Sequence, residues 1–279
     1  MTHRLATTFS RRSAALHSDV PLTEEQIRRV APSIFAPDKH ASRSARYTYL
    51  PTIEILRRLA AEGFTPYAVT QSQTRDDAHR EHTKHMVRLR RPDASGAAQA
   101  NEVVLINSHN GASSYQMLGG VFRFVCRNGL VCGDVHAEVR VPHKGDVLGE
   151  VIDGANLIVE RFDSIDASRE AMQAVPLDAP EQAAFARAAL ALRYPDADDA
   201  RPAPVTESQL LAARRPEDTA PDLWTVFNRV QEHLIRGGLP ARSPRGRRQH
   251  TRPVRGIDSN VQLNRALWVL AEAMRRLAA

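Results

Sequence analysis

The sequence predicts an α+β fold, in which an antiparallel β meander is covered by helices and followed by a helical C-terminal region. Three observations carry that expectation. Apolar residues recur with a period of two through 64–142, they recur at helical spacing on both sides of that stretch, and the strand-like runs follow one another as a meander that needs cover from the flanking helices.

Size and composition agree with a globular protein. The chain has 279 residues, 42% hydrophobic and 25% charged, enough for one large domain or two ordinary ones. Thirty-eight Lys and Arg against 32 Asp and Glu give a formal charge of +6 and a pI near 9.8, which favours anionic partners such as nucleic acid or acidic lipid. Cys126 and Cys132 are the only two cysteines, too few for a disulfide-framed scaffold. No apolar run approaches the roughly 18 residues of a membrane helix, and the Arg11-Arg12 pair has no hydrophobic stretch behind it. The expectation is a soluble, cytoplasmic protein with no membrane partner.

The elements follow in order. Residues 1–20 show no usable period and read as a mobile N-terminal arm. An α+β domain is expected over 21–175. It opens on Thr23-Glu24-Glu25-Gln26, a capping-box pattern that starts a short helix through Ile27 and Val30. Ile53, Ile55, Leu56, Leu59 and Ala60 then mark a helix over 52–62 stopped by Gly63.

Phe64 to Thr70 reads as a strand. In 82–91, His85, Val87 and Leu89 share one face while Lys84, Arg88 and Arg90 share the other, predicting a half-buried strand with a basic outer face. The apolar run 101–107 reads as a central strand, with 121–126 following. Asn128-Gly129 predicts a tight hairpin, and alternation from Val135 to Val141 predicts the next strand. Helices are expected over 147–173 and 179–193.

Residues 176–205 comprise that second helix and a Pro- and Asp-rich linker, YPDADDARPAPV. The region 206–279 is expected to be helical and to pack on the sheet domain. Leu223, Phe227, Val230 and Leu234 form one amphipathic stripe and Leu263, Leu267, Leu270, Met274 and Leu277 another. Between them lies a basic loop, 242–255, with six arginines and no acid.

That loop is the strongest functional signal, because a protein that neutralises several phosphates gains salt-sensitive affinity by releasing counterions. The leading expectation is a non-enzymatic nucleic-acid-binding protein, with DNA as the partner and a homo-oligomer as its form. Arg245, Arg247, Arg248, Arg252 and Arg255 would contact phosphates, and Arg88 and Arg90 would extend the patch. The polar loop NSHNGASSYQ, at 107–116, suits an ordered turn that also borders the binding groove through Ser108, His109 and Tyr115. The rival from another class is a metal-dependent phosphodiester hydrolase using His109, Asp134 and Glu102, although no acidic spacing supports it. A third reading is a module whose basic loop binds an acidic protein. Cys126 and Cys132 have five residues between them, a spacing unlike structural zinc sites, and they read as small buried residues; no metal or cofactor is expected.

The block INSHNGASSYQMLGGVFRFVCRNGLVCGD, with the later TRPVRGIDSNVQLNRALWVLAEAM, resembles a phage- and plasmid-associated family, domain of unknown function nine hundred and thirty-two. Asn107, Ser108, His109, Gly111, Ser113, Arg123, Cys126, Asn128 and Gly129 match its pattern, while Asn110 stands where the family has Asp. The resemblance implies a mobile-element role in which DNA handling is the commonest accessory task, and it adds Arg123 to the candidate contacts. The order of helix, meander and covering helix also looks somewhat like the core of single-strand annealing proteins, which implies single-strand binding or annealing.

Overall fold

The structure, a computed structural model, describes residues 5–9, 13–42, 47–74, 76–91, 98–126, 128–133, 138–198, 201–243 and 247–278. The α+β class holds. The chain forms two compact units, one comprising Met1–Val131 with Val135–Phe162 and the other Cys132–Asp134 with Asp163–Ala279. The division falls at Phe162, so the helices after it belong with the C-terminal region.

The first unit is built on an antiparallel sheet. Strands β1 (Leu5–Phe9), β2 (Ser13–Ser18), β3 (Thr65–Ser72), β4 (His85–Arg90), β5 (Gln99–Asn107), β6 (Tyr115–Arg123) and β7 (Asn128–Val131) lie side by side in sequence order, and β8 (Glu138–Val141) pairs with the first half of β6. The expected mobile arm is therefore corrected over its described residues, 5–9 and 13–20. Ala14 and Leu16 of β2 are buried, and Leu16 pairs with Val69 of β3, so the segment is held by a short period-two pattern and a non-local ladder.

Helices α1 (Glu24–Val30) and α2 (Thr52–Ala61) cover one face with α3 (Val147–Glu160). The capping box at Thr23 forms as expected, with Gln26 N–H donating to Thr23 Oγ1 at 3.3 Å and Thr23 N–H to Gln26 Oε1 at 2.9 Å. Ile53, Ile55, Leu56 and Leu59 of α2 are buried in one core with Val69, Val87, Leu105, Met117 and Val151. Each such side chain stabilises the unit by about 1.5–3 kcal/mol on burial. Gly154 of α3 lies against Met117, where a Cβ would overlap the thioether methyl.

Two local expectations shift. Asn128 pairs with Arg123, so Asn128-Gly129 lies inside β7 and the turn comes earlier. The long helix expected over 147–173 breaks at Arg161 into α3 and α4 (Phe162–Gln173).

The second unit is helical. After α4 come α5 (Ala179–Arg193), α6 (Glu207–Leu211), α7 (Leu223–Arg236) and α8 (Ile257–Leu277). Phe185, Trp224, Phe227 and Trp268 meet edge to face, with centroids 5.6–6.3 Å apart, and form its aromatic core. α7 ends at Gly237 (φ 64°), where any Cβ would strike the backbone of Thr251 and Arg252. The expected basic loop is corrected to a hairpin at that point: β9 (Pro240–Arg242) pairs with β10 (Arg248–His250). Among the described residues no helix is long and apolar enough to cross a membrane.

Candidate functional sites: a buried histidine network and a basic groove

In the first unit the polar loop 107–115 turns most of its polar side chains inward. Asn107, Ser108, His109 and Tyr115 are wholly buried, so the expected contacts from Ser108, His109 and Tyr115 are corrected to internal ones. Ser108 Oγ accepts from Ser113 N–H at 2.7 Å, and Asn110 Oδ1 accepts from Ala112 N–H at 3.0 Å, which ties the loop to itself.

The buried side chains form a network whose proton order follows from two fixed backbone groups. Gln71 Oε1 accepts from Ser33 N–H at 3.0 Å and its amide donates to Arg80 O at 2.8 Å, so the Ser33 hydroxyl must donate to Gln71 Oε1, at 2.8 Å. Ser33 Oγ then accepts from His85 Nδ1–H at 2.8 Å. His85 Nε2 is left bare and accepts from the Thr52 hydroxyl at 2.9 Å. Thr52 Oγ1 has two lone pairs, filled by Asn107 Nδ2–H at 3.1 Å and His109 Nε2–H at 3.2 Å. Asn107 Oδ1 in turn accepts from His143 Nε2–H at 2.9 Å, and the Tyr115 hydroxyl donates to Leu50 O at 2.9 Å.

One hydroxyl thus orders two imidazoles and the Asn107 amide, and this assignment leaves His109 Nδ1 a buried lone pair with no partner among the described residues. Burial, reinforced by neighbouring imidazoles, holds His109 to a pKa of about 2; burial likewise lowers His85 to about 3 and the partly exposed His143 to about 4. All three are neutral at pH 7. Among the described residues no group of three His, Cys, Asp or Glu side chains is disposed to hold a metal ion.

The opposite face of the sheet corrects Arg88 and Arg90. They point away from Val87 and Leu89 as the alternation predicts, yet both are buried, because Glu102 of the adjacent β5 pairs with each: Arg88 Nε with Glu102 Oε2, and Arg90 Nε with Glu102 Oε1 at 2.6 Å. Arg88 also donates to Leu130 O, and Arg90 stacks over Phe122 at 3.8 Å and Tyr67 at 4.6 Å. Gly129 serves this pair, since a Cβ there would overlap the Arg88 guanidinium. Glu102 is therefore spent on two arginines, on the face of β5 away from Asn107, and does not join His109 in a metal site. Asp134 lies outside the described residues. Arg123 is buried at the end of β6, and Cys126 and Cys132 are buried and outside any disulfide.

In the second unit the basic segment stays exposed. Arg247, Arg248, Arg252 and Arg255 are exposed, as is Arg242; Arg245 lies outside the described residues. Across the hairpin Arg242 stands directly opposite Arg248, and Ala241 opposite Gln249. The hairpin is anchored at its base by Gly238 N–H to Thr251 O at 2.9 Å and Val254 N–H to Ile235 O at 2.8 Å. It walls a groove of about 1020 Å³ with the segment from Arg201 to Pro204, and the lining contains Arg201, Arg242, Arg248 and His250 but no acid. Within the described residues none of Arg242, Arg247, Arg248, Arg252 or Arg255 is in an ion pair; Arg201 lies 3.9 Å from Asp198.

Thr52, His85, His143 and Arg201 escape sequence reasoning as site residues. Their partners are 33 to 57 positions away for Thr52 and 36 for His143, and Arg201 sits in a segment that reads as linker.

Similar proteins share nearly the whole chain. UPF0380 protein YafZ of Escherichia coli (strain K12) is 53% identical over 271 residues, 97% of each chain, and UPF0380 protein YfjQ of the same organism is 52% identical over 271 residues, again 97% of each. No solved structure matches. Residues 39–268 match the family described as Domain of unknown function (DUF932), a span that takes in the histidine network, the Arg88–Glu102–Arg90 cluster and the basic hairpin, and the chain belongs to that family.

Proposed function

We propose that the protein binds nucleic acid without cleaving it, through the arginine-lined groove of its second unit. The observation that carries the reading is the register of the hairpin, which sets Arg242 against Arg248 with no acid in the groove. Like charges directly opposite each other on a hairpin destabilise it, so a three-residue strand pair with this pairing is best explained by an anion that spaces the two guanidinium groups. Phosphodiester is the anion a basic protein of charge +6 meets most densely.

Arg247, Arg252 and Arg255 widen the field around the groove. The family resemblance supports a mobile-element setting, with cytoplasmic DNA as the natural form of the partner. The test is fluorescence anisotropy of labelled oligonucleotides titrated with the full chain across a salt series. Binding whose log affinity falls linearly with log salt supports the reading, and no binding at low salt removes it. Gel analysis of the recovered strands checks that they are intact.

A further inference from the structure

The lining of the groove bears on which form of nucleic acid it takes, a question that rests on the function just proposed. Its volume of about 1020 Å³ stands at the upper end of the roughly 300–1,000 Å³ of small-ligand pockets. Such a concavity admits a flexible chain. A duplex, stiff and convex, would reach only the rim.

The walls suit a single strand in kind as well as in size. Pro202, Ala203, Pro204, Pro240 and Ala241 line the groove together with Arg201, Arg242 and Arg248, so apolar residues and arginines share its wall. Bases and sugars would lie against the apolar residues with phosphates turned to Arg201, Arg242 and Arg248. His250 supplies the only aromatic ring among the described lining residues, so charge rather than stacking carries the affinity.

The neutral polar groups of the groove are largely occupied. Gln209 accepts from Thr206 N–H at 2.9 Å through Oε1 and donates to Pro240 O at 2.8 Å through Nε2. Thr206 Oγ1 accepts from Gln209 N–H at 3.4 Å as a helix cap, and Ser243 Oγ accepts from Arg247 N–H at 3.1 Å within the hairpin. A base edge is read by a fixed side chain free to bond it, an amide on adenine or a guanidinium on guanine, and the guanidinium groups of this groove are assigned to phosphates. Gln249 is the one amide of the lining left for that task.

From these observations we infer that the groove holds single-stranded nucleic acid without preference for base sequence. The experiment uses the full chain and three fluorescein-labelled probes of equal length: oligothymidylate, a single strand of mixed sequence, and the duplex of that mixed sequence. Two variants accompany it. Ala203→Trp narrows the groove at its apolar lining without changing charge, and the pair Arg242→Ala with Arg248→Ala removes charge without narrowing it; circular dichroism and thermal unfolding check that each folds.

The expected result is that the two single strands bind within about threefold of each other and the duplex at least about tenfold more weakly. Ala203→Trp should weaken single-strand binding at least about tenfold with little change in salt slope, while the arginine pair lowers the slope by about 1.4, two phosphate contacts at about 0.7 each. Duplex binding as tight as single-strand binding, with Ala203→Trp without effect, overturns the inference and leaves the proposed function standing. A tenfold difference between the two single strands overturns the lack of sequence preference. Failure of every probe to bind at low salt overturns the proposed function itself.

Discussion

Acidification should destabilise the first unit between pH 6.5 and 5, well before carboxylates are protonated. An imidazole in the unfolded chain titrates near 6.5, whereas His85 and His109 are held to about 3 and about 2 by burial. Between 6.5 and those values the unfolded chain binds protons that the folded chain refuses, so stability is whole above pH 6.5 and is lost as pH falls. Each of the two groups costs about 1.4 kcal/mol per pH unit, and together they remove about 4 kcal/mol by pH 5. His143, partly solvated, adds a smaller increment. Against a domain stability of about 5–15 kcal/mol this is a large fraction.

The two units carry different reporters. Both tryptophans, Trp224 and Trp268, lie in the second unit, whereas Tyr47, Tyr49, Tyr67 and Tyr115, four of the five tyrosines, lie in the first. The second unit contains His233, whose pKa burial also lowers, so it too should weaken on acidification, but by less. Urea unfolding at pH 7.5, 6.5, 5.5 and 5 followed by near-ultraviolet tyrosine dichroism and by tryptophan fluorescence separates them. The tyrosine midpoint should fall steeply below pH 6.5 and the tryptophan midpoint less so. A tyrosine midpoint constant from pH 7.5 to 5 would refute the neutral, buried assignment of His85 and His109.

Three further outcomes follow from the same contacts. Thr52→Val keeps the shape but removes the hydroxyl that serves His85, His109 and Asn107, and should cost on the order of 3 kcal/mol in urea unfolding, more than the about 1 kcal/mol of an ordinary hydrogen bond. Glu102→Gln leaves Arg88 and Arg90 buried without their counter-charge and should cost about 3–5 kcal/mol, whereas an unchanged midpoint would mean that both guanidinium groups reach water. Gly129→Ala places a methyl on the Arg88 guanidinium and should destabilise by about 1–3 kcal/mol, a cost that Arg88→Ala in the same chain should reduce.

What the sequence makes legible is the local part of this molecule. Thr23 and Gln26 announce their capping box because both partners lie within one turn, and α5 spans residues 179–193 as its pattern predicts. The two faces of β4 also follow from alternation. Their exposure does not, because the residue that buries Arg88 and Arg90 is Glu102 on the neighbouring strand, and no local spacing names it. The histidine network is hidden for the same reason: Thr52, His85, His109 and His143 come from a helix, a strand and two loops, and each alone reads as a core or loop residue. The basic hairpin was legible as charge, but its register, which opposes Arg242 and Arg248, depends on a two-stranded pairing that Gly238 and Thr251 anchor.

Phosphate binding by the groove arginines is tested most directly by the salt dependence of single-strand affinity for the native chain beside the chain carrying Arg242→Ala and Arg248→Ala. Three groove arginines, Arg201, Arg242 and Arg248, set a slope of log affinity on log salt near −2 for the native chain, and the double variant should retain about −0.7 with weaker binding throughout. Equal slopes and equal affinities for the two chains would contradict the assignment of the groove.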